Sequence, residues 1–130
     1  MPAAESYPDD LRYHPEHDWA RLEGDQATFG ITWYAQDALG EVVFFDPPGV
    51  GTEVEKGVAY AEVESVKAVS DVIAPLSGEI VEVNGDLQDA PEQINEDPYG
   101  VGWLVKVRLT APEEVDALLG VEEYRNLLDS

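Results

Sequence analysis

Cysteine is absent from the 130 residues, which excludes disulfides, a catalytic thiolate and cysteine metal sites together. Positive charge is scarce: seven lysines and arginines stand against 28 aspartates and glutamates, for a formal charge of -21. So acidic a chain is a poor match for nucleic acid or an anionic membrane, and a protein that docks on it is expected to present basic residues. The same excess also serves as a solvated coat. Long apolar runs are missing too, and the acidic first ten residues carry no targeting pattern, so neither a membrane span nor a signal peptide is expected. The reading is a cytoplasmic protein, or a mitochondrial one had a removed transit peptide preceded it.

An enzyme's usual equipment is lacking as well. There is no Gly-rich phosphate loop, no nucleophile elbow and no carboxylate and histidine cluster at metal spacing. His14 and His17 lie three apart beside Asp18, but no third ligand accompanies them, so no metal is expected there.

What is present suits one core and not two. At 44% hydrophobic and 9% aromatic residues, burial should overcome self-repulsion. Residues 1–10, with two prolines and three acids, read as an extended lead-in, and residues 11–130 as a single domain.

Ala27, Phe29 and Ile31 alternate with Thr28, Gly30 and Thr32, the period of a half-buried strand. The same period returns at 102–109, with Trp103, Val105, Val107 and Leu109 on one predicted face. Between them, Val42–Phe45 is a short apolar run ended by Asp46-Pro47-Pro48-Gly49, through which no strand continues. Several short strands with turn signals at Gly24, Gly57, Gly78 and Asn84-Gly85 point to a mainly β barrel or sandwich. A short internal helix is predicted over 34–39, stopped by Gly40. Helices are also predicted over about 111–128, where Thr110 and Glu113 have capping-box spacing, Gly120 is a stop, and Tyr124, Leu127 and Leu128 suggest a last segment.

In the segment Ala59 to Asp71, Ala59, Ala61 and Val63 are predicted to face one way and Tyr60, Glu62 and Glu64 the other, before a turn and a return limb to Ile73. A hairpin closing on Gly57 and Gly78 puts Lys67 near its tip. A lysine there has a solvent-facing amine on a rigid scaffold, which suits an enzyme that must find one amine and acylate it. Most lysines are exposed in any case, so placement alone does not separate a modified lysine from an ordinary one.

The run Glu64-Ser65-Val66-Lys67-Ala68, followed by Ser70-Asp71, resembles the lipoyl and biotinyl carrier domains, and within them the glycine cleavage H-protein family. Further blocks extend the resemblance from about residue 11 onward: Tyr13 to Trp19, Gly30 to Thr32, Tyr34 to Gln36, Leu39-Gly40, Val42 to Phe44, Asn95 to Tyr99, Gly102-Trp103 and Glu123-Tyr124. A biotin carrier usually flanks its lysine with methionine, where this chain has Val66 and Ala68. Lipoyl domains of oxo-acid dehydrogenases are normally joined to Ala/Pro-rich linkers, which do not occur here.

The resemblance implies a barrel-sandwich hybrid with lipoic acid amide-linked to Lys67, and Glu64, Ser65, Val66, Ala68 and Asp71 as the attachment motif read by a lipoate ligase or a lipoyl/octanoyl transferase. It implies a non-catalytic carrier whose lipoyl arm takes the aminomethyl group of glycine from the P protein (glycine decarboxylase). The arm then yields the one-carbon unit to the T protein (aminomethyltransferase) and is reoxidised by the L protein (dihydrolipoyl dehydrogenase). A loaded arm carries an ammonium that needs shelter from water. The expected docking cleft joins Asp18, which stands where the family more commonly has Glu, to Asp71 and an apolar wall at Ile31. Two alternatives stay open in the residues: a lipoyl donor in a relay that modifies other proteins, and a cofactor-free acidic interaction module.

Overall fold

A computed structural model describes residues 4–129. They form two sheets. The larger has the strand order β1-β2-β3-β9-β8-β5, from β1 (Arg12–His14), β2 (Asp18–Glu23), β3 (Gln26–Ile31), β5 (Glu53–Val54), β8 (Gly78–Val83) and β9 (Val105–Leu109). The smaller is β4-β6-β7, from β4 (Val42–Asp46), β6 (Ala59–Ser65) and β7 (Val69–Ile73). The mainly β barrel-sandwich expected from the sequence is the fold observed, with the internal helix α1 (Trp33–Leu39), a one-turn helix α2 (Gln93–Glu96) and α3 (Val121–Asp129).

The alternating segments find each other across the core. Ala27 of β3 pairs with Val107 of β9, and Phe29 with Val105, and their inward side chains join Ile80, Val63 and Phe45 in one core cluster. All of these are buried, and each large one contributes about 1.5–3 kcal/mol by leaving water. The predicted phase of β9 fails at its start. Leu104 and Val105 are both buried while Trp103 is only half-buried, because the strand begins at Val105 and the Trp103 amide closes a turn on Gly100 O at 3.1 Å.

A second cluster gathers Tyr7, Leu11, Tyr13, Trp19, Tyr99 and Tyr124. Residues 1–3 of the predicted lead-in lie outside the described residues. Residues 4–10 hold no strand or helix, yet Tyr7 is buried edge-on to Tyr124 at 5.5 Å. Trp19 opposes Gly30 in the β2–β3 register, and its indole N–H is shared between Ile31 O at 3.0 Å and Pro98 O at 3.1 Å. A Cβ on Gly30 would stand 2.4 Å from that ring, so only glycine admits it.

The capping box predicted at Thr110 is not formed. Residues Pro112–Ala117 make a 3-10 helix whose N-cap, Ala111, offers no side-chain acceptor. Glu114 instead accepts from Ser77 N at 2.7 Å and Ser77 Oγ at 2.9 Å, which anchors the segment to the hairpin's far end. After Gly120, α3 runs with Tyr124 inward.

Candidate functional site

The hairpin β6–β7 turns over Val66, Lys67 and Ala68, all exposed. Ser65 shapes the turn: its Oγ accepts from Lys67 N at 3.2 Å and Ala68 N at 3.1 Å, while its own N–H donates to Ala68 O at 2.8 Å. Short hydroxyl-to-backbone bonds of this kind replace ladder pairing at a tight corner. The Val66 amide donates to Glu41 O at 3.0 Å, tying the tip to the chain just after α1. Lys67 is thus displayed on a braced loop, its stem over Gly40, the C-cap of α1.

Glu64 faces outward on β6, and Asp71 is exposed on the edge strand β7. Tyr60 departs from the predicted alternation. A register shift between Ala59 and Ala61 turns its ring inward against Phe29, centroids 6.1 Å apart, with the hydroxyl buried and without a hydrogen-bond partner.

Beside the tip an open groove of about 570 Å³ runs between β7 and α1, bordered by Ala68, Val69, Tyr34 and Ala38. It shares Glu16, His17, Ala35, Leu39, Ser70 and Asp71 with a smaller recess of about 50 Å³. Asp18, Ile31, Val63 and Val72 complete that recess. The structure therefore brings Asp18, Ile31 and Asp71 together on one concavity, next to the hairpin that carries Lys67.

Asp18 is the chemically distinctive member. It is 3% exposed, and its Oδ2 has no hydrogen-bond partner. Burial holds its carboxyl well above the ordinary value near 3.8, against the Ile73 backbone N–H, which favours the charged form. A buried carboxyl oxygen without a donor is costly unless something supplies one.

His17 forms part of the recess wall with a positive φ of 75°, placed by its backbone N–H donating to His14 O at 2.9 Å and by its own carbonyl accepting from Thr32 N at 3.0 Å. Its Nδ1 lies 2.8 Å from Tyr124 Oη, which lies 2.8 Å from Thr32 Oγ1. Thr32 in turn caps α1 by accepting from Ala35 N at 3.3 Å. Burial lowers the His17 pKa and pushes the Tyr124 hydroxyl up to about 12, which favours the neutral form of both groups. His14 bonds Glu16 N through Nδ1 at 3.1 Å; both histidines thus build the β1–β2 turn. Among the described residues no group of three or more His, Cys, Asp or Glu is placed to hold a metal ion.

Three residues of the site carry no local sequence signal for the place they take in it. Glu16 and His17 line the recess, but their role needs the β1–β2 turn to fold against α1, which no local pattern announces. Asn95 was visible only as part of a family-like block. Its amide donates to Gln36 Oε1 at 3.0 Å and Gly40 O at 2.9 Å and accepts from Val42 N at 2.8 Å, locking the α1–β4 corner beneath Lys67. Next to that corner lies a pocket of about 270 Å³ bordered by Asp37, Glu41, Glu92 and Glu96.

The family model described as "Glycine cleavage H-protein" matches residues 11–130. A glycine cleavage system H protein of Rubrobacter xylanophilus is 55% identical over 122 residues, 94% of each chain. A mitochondrial one of Pisum sativum is 52% identical over 116 residues, 89% of this chain and 70% of that one. A crystal structure of a glycine cleavage system H protein from Mycobacterium marinum superposes with a TM-score of 0.87 at 44% identity, covering 95% of this chain and all of that one. No helix among the described residues is long and apolar enough to cross a membrane.

Proposed function

This chain belongs to the glycine cleavage H-protein family and shares its carrier role, and from that premise we propose that Lys67 is its point of lipoyl attachment. On this reading residues 11–130 act as one carrier unit that moves the aminomethyl group of glycine from the P protein to the T protein, then electrons to the L protein. The observation that carries the reading is the exposed amine on a turn braced by Ser65, one groove's width from a buried carboxyl oxygen lacking a donor.

The residues fit such a group. Lys67 is open to an acylating enzyme, and the groove from Ala68 to the Asp18 recess has room for a thin, largely apolar arm. When bound, the lipoyl group supplies the dithiolane sulfur and redox chemistry that a cysteine-free chain lacks. The protein's own work is positioning and shelter. Glu64, Ser65, Val66, Ala68 and Asp71 present Lys67 for recognition by a lipoate ligase or a lipoyl/octanoyl transferase. Ile31, Leu39 and Val63 exclude water from the recess. Asp18, ionised against a cationic head, accepts its ammonium hydrogen bond at the Oδ2 position, with Asp71 at the mouth adding negative potential.

Reconstitution tests this reading. Adding the lipoylated protein to purified P, T and L proteins with glycine, tetrahydrofolate and NAD should restore glycine-dependent NADH formation, and Lys67→Arg carried through the same lipoylation should not. Full activity from the arginine variant would overturn it.

A further inference from the structure

The outer face of the small sheet has its own pattern beside the tip. Phe44 of β4 opposes Glu64 of β6, which opposes Val69 of β7. Directly opposed residues project from the same face, so the three form one row across the sheet, one step from the turn. Phe44 is 48% exposed and Val69 60%. A register shift between Val42 and Phe44 also leaves Val43 exposed at 44%. An edge strand that displays two consecutive large apolar side chains invites unwanted pairing unless a partner uses them. Val66, at the tip itself, is also exposed.

The next row behind is acidic throughout: Asp46 opposes Glu62, which opposes Asp71. No lysine or arginine occurs in β4, β6 or β7. An apolar contact backed by an unbroken negative row is complementary to a protein surface with an apolar centre and a basic flank.

We propose that this face, centred on Val43 and Phe44 and backed by Asp46 and Glu62, is the seat of the enzyme that acylates Lys67; the proposal rests on Lys67 being the attachment point. Chemistry selects that occupant among the proteins a carrier must meet. With a lipoate ligase, the unprotonated Lys67 amine attacks the acyl carbonyl of an acyl adenylate held inside the enzyme. The amide C–N bond forms, the acyl C–O bond to phosphate breaks, AMP leaves with that electron pair, and the surplus amine proton passes to solvent. Before acylation there is no arm to bridge a gap, so this enzyme must close directly on the surface around Lys67. Proteins visited afterwards receive the end of a long arm and can dock elsewhere.

The test uses the full unmodified chain with a lipoate ligase, lipoate and ATP, following the lipoyl-sized mass gain by intact-mass spectrometry. Val43→Ser/Phe44→Ser should lower kcat/KM about tenfold through KM, with kcat and the thermal midpoint nearly unchanged. Val101→Ser, on the turn before β9, should leave it as in the native chain. Asp46→Asn/Glu62→Gln should lower kcat/KM about threefold in dilute buffer, and less at high salt. Native kcat/KM in the folded Val43/Phe44 variant, a loss no greater than for Val101→Ser, or a loss confined to kcat would each overturn the docking face while leaving Lys67 as the attachment point. A native chain that gains no mass would instead overturn the reading of Lys67 on which it rests.

Discussion

The stem of Lys67 lies across Gly40: a Cβ added to that glycine would stand 3.3 Å from Lys67 Cε. Gly40 ends α1 with a φ of 85°, a conformation that side chains resist, and its amide closes the helix on Gln36 O at 2.9 Å. The helix stop and the display of the lysine are therefore one device. Gly40→Ala should cost about 1 kcal/mol or more of stability, measured by urea unfolding, and should slow acylation of Lys67 by crowding its stem. An unchanged unfolding midpoint would mean that the corner relaxes freely.

Ser65 braces the tip from within. Ser65→Ala removes an acceptor shared by two turn amides, and the expected loss is about 1–2 kcal/mol. Hydrogen exchange at the Lys67 and Ala68 amides should speed up while β8 and β9 keep native protection. Uniform loss of protection would instead show a global role for Ser65.

Trp19 and Gly30 test the base on which the recess rests. Gly30→Ala forces a methyl against an indole already pinned by two carbonyls, and overpacking there should cost about 2–3 kcal/mol in chemical denaturation. A loss below about half a kcal/mol would show that the ring can move aside.

Asp18 makes stability depend on pH with a definite sign. Its carboxyl titrates higher in the folded chain than the ordinary value near 3.8 because of burial, so the folded state holds the proton more tightly. Stability from this group is thus intact below about pH 4 and declines as pH rises towards the folded pKa. Asp18→Asn should be more stable than the native protein at neutral pH, with the difference vanishing near pH 4. A difference that instead grew on acidification would refute the assignment.

The cargo role of Asp18 is tested separately. Loaded with an aminomethyl group, the native protein should release it to water more slowly than Asp18→Ala. Equal decay rates would remove Asp18 from the shelter.

What was legible beforehand follows from which interactions are local. The strands at 26–31 and 105–109 announce themselves by apolar side chains alternating with polar or small ones, although β3 is buried on both faces from Ala27 onward, and α1 announces its end at Gly40, while its N-cap Thr32 reads as the end of a strand. The tip at Lys67 was legible both from turn spacing and from the likeness of its flanking residues to a known family. Tyr60 departs from the sequence alternation because a bulge changes the phase of a strand without leaving a mark in composition. The recess wall was only partly visible, since His17 depends on Tyr124, 107 residues away. Glu114, given to no cap, found its partner in Ser77, 37 residues upstream. Such pairings are decided by how distant segments pack.

The most direct measurement is peptide-level mass spectrometry of the protein purified from cells that make lipoate. The account predicts a lipoyl amide on Lys67 and unmodified amines on Lys56 and Lys106. A bare Lys67 in those cells, or a lipoyl group on either of the other lysines, would contradict it.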